Sequence, residues 1–205
     1  MAQVTTGIRS ILSYPWVYEC LQKIMGADKT RKILISKYVK PYRVDTVLDI
    51  GCGPAEILSY MHGVDYYGFD ISRDYIDKAK RTYGDEPHFF DRNISDEDLN
   101  FLPSFDLVLM FGVLHHLDDD IAKAVIQIAS KALKPGGRLL AIDPCFEKGQ
   151  NSIAKFLISQ DRGRNVRTKP EYASLVEGQF GQVKIEVNHQ FWIPYTHCIM
   201  ECTSH

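Results

Sequence analysis

The chain has 205 residues, 45% of them apolar and 24% charged, enough to bury one sizeable core and too apolar for a disordered chain. Lys and Arg number 24 against 26 Asp and Glu, a formal charge of −2, which excludes the bulk positive field of a general nucleic-acid or anionic-membrane binder. Five scattered cysteines do not read as a disulfide framework, and no apolar run reaches the ~18–20 residues that span a bilayer. With no secretory leader pattern at the N-terminus, the expectation is a cytoplasmic protein with reduced thiols.

In chain order, residues 14–25 and 29–39 predict helices, divided near Gly26 and closed by Pro41. From Val44 onward short apolar runs alternate with helix-period stretches, the pattern of a βαβ protein. Strands are predicted at 46–50, 66–70, 88–92, 105–110 and 138–143. A helix over 121–133 places Ile121, Val125, Ile128, Ala129, Ala132 and Leu133 on one face; Asp118-Asp119-Asp120 caps it and Pro135-Gly136-Gly137 stops it. A polar, partly basic stretch over 147–169 follows. The chain closes with a helix over 170–177, stopped by Gly178, and strands over 182–189 and 195–204.

The most informative string is Val47-Leu48-Asp49-Ile50-Gly51-Cys52-Gly53-Pro54-Ala55-Glu56. It reads as an apolar strand that turns on glycines into a helix, with Pro54 suited to the first helical position. Such turns at strand C-termini are where open α/β sheets bind ligands. Asp70, seventeen residues after Gly53, ends the second strand, where a carboxylate accepts both hydroxyls of a ribose or caps the next helix. A dinucleotide fingerprint asks for a third glycine where Glu56 stands, so a pyrophosphate is disfavoured. The charge of Asp49 suits a cationic ligand carrying an ammonium and a sulfonium.

The string resembles motif I of the class I S-adenosylmethionine-dependent methyltransferases, and Tyr67-Gly68-Phe69-Asp70-Ile71-Ser72 resembles the acidic motif that follows it. Phe105-Asp106-Leu107-Val108-Leu109-Met110-Phe111-Gly112-Val113-Leu114-His115-His116-Leu117 and Leu133-Lys134-Pro135-Gly136-Gly137-Arg138 extend the resemblance over residues 44–145. It implies a Rossmann-like, doubly wound α/β fold: a mostly parallel seven-stranded sheet with helices on both faces and an antiparallel last strand. A single domain is expected over 1–205, with a helical cap over 1–43, a cofactor-binding core over 44–145, and a substrate-side insertion with the last two strands over 146–205. The implied cofactor is S-adenosylmethionine, leaving as S-adenosylhomocysteine. Gly51, Cys52 and Gly53, with Asp49, would line its methionine part, Asp70 would hold the ribose, and Ile71 would pack on adenine. Asn93 would accept a hydrogen bond from the adenine amino group, or is a plain turn residue, with Ile94 beside it as a further cofactor-binding candidate; Phe111 and Gly112 would lie near the methyl group. Asn93 stands where the family often has Asp, and Ala55 where many members have a third glycine. Tyr18 and Gln22, four apart on one helical face, are candidates to close over the cofactor.

Methyl transfer from a sulfonium is an in-line displacement on an activated carbon, so alignment and water exclusion supply most of the acceleration. A base is needed only for an acceptor that loses a proton, and His115 and His116 are the candidates. They equally suit packing at the sheet edge. Arg162, Arg164 and Arg167 lie in a basic stretch and are candidates to grip an anionic group on a small-molecule acceptor. A solvated loop is their plainer reading. No metal, nucleic-acid or membrane partner is expected: His115, His116 and Asp118 do not make a metal site, and Cys198-x3-Cys202 lacks four ligands. Methylation of RNA or protein, and a non-catalytic cofactor-binding role, are the competing functions; the oligomeric state is left open.

Overall fold

The computed structural model describes residues 32–33, 35–39, 43–159, 163–190 and 195–205. Tyr18, Gln22 and Arg162, together with the helix expected over 14–25, lie outside the described residues. Of the helix expected over 29–39, residues 32–33 are helical, and Ile35–Val39 form a π-helical turn that buries Ile35, Tyr38 and Val39.

The sheet is built from β1 (Thr46–Ile50), β2 (Asp65–Phe69), β3 (His88–Phe90), β4 (Phe105–Phe111), β5 (Leu133–Phe146), β7 (Gln182–Gln190) and β8 (Tyr195–Thr203). Their order is β3-β2-β1-β4-β5-β8-β7. The first five pair in parallel, and β8 runs antiparallel between β5 and β7. An unforeseen two-residue strand, β6 (Arg167–Thr168), pairs with Cys145 and Phe146 at the end of β5. Strand order reverses between β1 and β4, so their C-terminal ends open a crevice of the kind that takes ligands in doubly wound sheets.

Alternate strand residues serve two cores. Leu48, Ile50, Phe69, Val108, Met110, Leu139 and Ala141 pack with α2 (Asp119–Ala132) and α4 (Lys169–Val176) on one face. Val47, Tyr66, Leu107, Leu109 and Leu140 pack with Ile76 and Ala79 of α1 (Arg73–Tyr83) and with the Ile35–Val39 turn on the other. Helices on both faces explain why these strands read as continuous apolar runs.

Three expectations need correction. The chain after Gly53 does not enter an α-helix with Pro54 at its first position. Ala55 takes a left-handed conformation, φ 55°, and a 3-10 helix follows over Glu56–Tyr60. On α2 the buried positions are Ala122, Ile126, Ile128, Ala129 and Ala132, whereas Ile121 is exposed. The stripe centres on 122, 126 and 129, and Leu133 leaves the helix to open β5 paired with Phe105; Pro135-Gly136-Gly137 then falls in a pairing irregularity between Phe105 and Leu107. Within the stretch read as polar loop, Ser152–Ser159 form α3, which buries Ala154 and Ile158.

Candidate active site

The crevice is floored by the turn after β1. Gly51 and Cys52 donate their N–H groups to the Phe69 carbonyl (2.7 and 3.1 Å), which fixes the turn against the end of β2. Gly51, Gly53 and Gly112 all have positive φ. A Cβ at Gly51 would meet Val113 Cγ2 at 2.5 Å, so the turns after β1 and β4 touch. A Cβ at Gly53 would meet nothing within 4 Å, leaving that backbone open to a ligand.

Asp70 joins these pieces. Its Oδ2 accepts the Gly53 N–H at 2.9 Å and its Oδ1 the Ser72 N–H at 2.8 Å. Helix capping is left to Ser72, whose hydroxyl accepts from the Tyr75 N–H. A carboxylate has about four lone-pair sites, so Asp70 keeps capacity for two further donors. Beside it Ile71 is 47% exposed, an apolar surface at the rim. Asn93 is also exposed, whereas Ile94 is buried in the apolar core. Arg92, held by Asp98, lies over the stacked rings of Phe69 and Phe90.

Asp49 is 3% exposed and accepts the Tyr66 hydroxyl at 2.5 Å. Burial pushes its pKa up to about 7; the Tyr66 hydrogen bond opposes this and the charge of Asp70 adds to it. Burial, with the same two carboxylates nearby, holds the Cys52 thiol well above its ordinary range and therefore protonated. Tyr66 was not read from the sequence: β2 carries two adjacent tyrosines, and nothing local tells the buried Tyr66 from Tyr67 beside it.

The β4 turn supplies the opposite wall. Gly112 donates its N–H to the Ile142 carbonyl at 2.8 Å, half-buried Phe111 packs against the core, and a 3-10 helix runs over Leu114–His116. Asp143 of β5, fully buried, accepts both the His115 N–H (3.0 Å) and His115 Nδ1 (2.7 Å) through one oxygen. Its pKa is raised by burial, against the pull of His115 and Arg167. His115 is 4% exposed, and its ring lies against the half-buried ring of His116, centroids 4.0 Å apart and planes tilted by 39°. Asp143 is the partner the sequence reading missed; the available signal was a carboxylate directly after the apolar run Leu139 to Ile142 of β5.

Among the basic candidates, Arg164 is exposed. Arg167 is not free to bind an acceptor: it is 6% exposed and hydrogen-bonded to Asp119 and to the Leu114, Leu117 and Asn165 carbonyls. Burial made it a structural cation. Asp118 caps α2, its carboxylate accepting the Ile121 N–H at 3.0 Å. Among the described residues no group of three or more His, Cys, Asp or Glu gathers to hold a metal.

This crevice coincides with a methyltransferase-domain family model, which matches residues 48–139. Residues 48–139, less than half of the chain, are thus similar to that methyltransferase domain. The match runs from β1 to the start of the straight part of β5, the segment holding the glycine turn, Asp70 and the β4 turn. An O-methyltransferase from Aspergillus sclerotiorum, resE, is 29% identical over 108 residues, 49% of this chain and 40% of the relative. The ubiquinone/menaquinone biosynthesis C-methyltransferase UbiE of Desulfotalea psychrophila is 29% identical over 137 residues, 62% of this chain and 53% of the relative. The chain thus spans about half the length of these curated relatives or less. Among solved structures, the plantazolicin methyltransferase BamL, in complex with a triazolic desmethylPZN analog and SAH, superposes with a TM-score of 0.70 at 16% identity. The match covers 95% of this chain and 93% of that one.

Proposed function

We propose that this protein moves the methyl group of S-adenosylmethionine to a small-molecule acceptor. One observation carries the reading: at the crevice, a carboxylate bridges the glycine turn and the end of β2 through Gly53 and Ser72 while keeping acceptor capacity for a ribose. The surrounding residues suit the rest of the cofactor. Exposed Ile71 offers an apolar face for adenine, Asn93 offers an amide, and the open backbone at Gly53 admits the methionine part. Asp49, two residues before Gly51, is raised by burial to about 7, and a cationic ligand favours its ionised form.

The bound sulfonium supplies an activated methyl carbon. The protein's part is to align it and keep water away, and Phe111, Gly112 and Val113 are the side of the crevice placed for that. His115 is too enclosed to meet the acceptor and serves to hold the turn through Asp143; His116, the more exposed ring of the tilted pair, is the candidate base for an acceptor that loses a proton. Arg164 is the described arginine left to meet an anionic group. The organisation into cap (1–43), core (44–145) and acceptor-side segment (146–205) is part of the same proposal. Cys52 and the buried Cys145, Cys198 and Cys202 are free thiols, which suits a cytoplasmic setting.

Calorimetry with S-adenosylmethionine and S-adenosylhomocysteine tests the cofactor site. Asp70→Asn should weaken both about tenfold to a hundredfold, the loss of charge-assisted hydrogen bonds. Equal affinity in parent and variant overturns the site. Labelled-methyl turnover against metabolite, RNA and protein pools tests the acceptor class, and label entering only macromolecules overturns the small-molecule reading.

A further inference from the structure

We propose that residues 163–168 form a strap in which Arg167 is a positioning residue for the turn after β4, so that one guanidinium sets both the acceptor-side segment and the wall facing the methyl group. The proposal rests on the functional reading above. The Arg167 bonds have a pattern that points to this role. Nε and one Nη2 N–H reach Asp119 Oδ1 at 2.9 and 2.7 Å; the other Nη2 N–H reaches the Leu117 carbonyl at 2.7 Å. The two Nη1 hydrogens go to the Leu114 carbonyl at 2.7 Å and the Asn165 carbonyl at 3.0 Å. All five donors of a guanidinium are thereby used. Leu114 and Leu117 bracket the 3-10 helix: the Leu114 carbonyl already accepts the Leu117 N–H at 3.1 Å, and Arg167 gives it a second donor while also meeting the Leu117 carbonyl at the helix end.

The rest of the strap reinforces the contact. The Asn165 N–H donates to the His115 carbonyl at 3.0 Å. Gly163 lies so close to His115 that a Cβ there would enter its ring and come within 2.6 Å of its carbonyl oxygen, leaving room only for glycine. At its far end the strap is laddered to β5, with Cys145 opposite Arg167 and Phe146 opposite Thr168. Thr168 then opens α4 in a reciprocal cap with Glu171. Asp143 holds the same His115 backbone and ring from β5. The turn is therefore gripped from two sides: by the sheet through Asp143, and by the segment after α3 through Arg167. Gly112, two residues before Leu114, inherits the setting. Lysine cannot replace this arrangement, because three donors on a point charge cannot meet four acceptors spread over a planar fork.

The experiment compares the full chain with Arg167→Lys by amide hydrogen exchange, by NMR titration of the His115 imidazole, and by calorimetry with S-adenosylhomocysteine as probe. Expected are exchange of the His115, His116 and Leu117 amides at least about tenfold faster, a shifted His115 titration and roughly tenfold weaker probe binding, with β1 and β2 amides unchanged. Wild-type exchange and titration in Arg167→Lys overturn the strap. Asp119→Asn removes the carboxylate partner alone and should speed the same amides about threefold; if the lysine variant does not fold, unchanged exchange in Asp119→Asn overturns the strap instead. Probe that fails to bind the wild type overturns the cofactor reading and the strap's part in transfer, whereas probe that binds both proteins equally overturns the strap alone.

Discussion

Gly51 and Ala55 occupy the same left-handed region, φ 75° and 55°, yet only one of them tolerates a side chain. Ala55 carries the ordinary cost of that conformation for an L-residue, about 1 kcal/mol or somewhat more, and its methyl is buried in the core. At Gly51 the same methyl would also strike Val113 at 2.5 Å. Gly51→Ala should therefore destabilise the protein by about 2–3 kcal/mol, the conformational cost plus overpacking. Gly53→Ala, with open space around it, should lose only about 1 kcal/mol. Urea unfolding checks both, and Gly51→Ala combined with Val113→Ala should recover the overpacking share. Equal losses for the two glycines would refute the contact between the turns. The glycines and Asp70 were legible because their chemistry repeats at a short, fixed spacing. Tyr66, Asp143 and Arg167 were not, because what defines them is a partner on another element: Asp49, His115, and the Leu114 to Asp119 segment. Arg167 shows the limit most clearly. A basic run advertises an anion site equally well whether its arginines face solvent or are buried on carbonyl oxygens.

Strand positions came through almost intact at the level of elements, since buried parallel strands are apolar runs bounded by turns. The expected strand over 46–50 coincides with β1, and that over 105–110 falls one residue short of β4. Errors gathered where local signals compete. Pro54 suits a helix start in isolation, but Gly51 and Cys52 are both bonded to Phe69, and the chain needs the left-handed Ala55 before it can begin a 3-10 helix. The acidic triplet before α2 illustrates how alike residues divide labour. Asp118 caps the helix and Asp119 receives Arg167, while Asp120 is exposed in the first turn. Asp118→Ala should cost about 1 kcal/mol, the usual loss of an N-cap, and Asp120→Ala should stay within about 0.5 kcal/mol. Denaturation midpoints of the two variants separate capping from simple dipole complementarity; equal effects would refute the cap.

Across the whole molecule, acidic groups pull stability in opposite directions as pH changes. Asp98 falls to about 2 through its Arg92 hydrogen bond, working against its own desolvation. Asp106 also falls to about 2: desolvation opposes ionisation but is outweighed by Lys134 and by the Thr46 and Asp45 N–H groups, which tie the start of β1 to β4. For these depressed groups the stabilisation is present above the unfolded value near 4 and lost as pH drops through about 2. Asp49 behaves oppositely. With its folded pKa raised to about 7 by burial, its contribution is full below about 4 and lost as pH rises through 7. Buried Asp143 shifts in the same direction. Stability should accordingly peak in mild acid, roughly pH 4 to 5. A cationic methyl donor reverses the upper limb, because it favours ionised Asp49, so its affinity should rise with pH toward 7 while stability without it declines. Melting temperatures from pH 2 to 8 should show both limbs. Asp49→Asn should flatten the limb between about 4 and 7 and abolish the pH dependence of donor binding, leaving the acid limb in place. Asp106→Asn should lower the plateau and soften only the acid limb, and an unchanged upper limb in Asp49→Asn would mean that some other buried acid sets it.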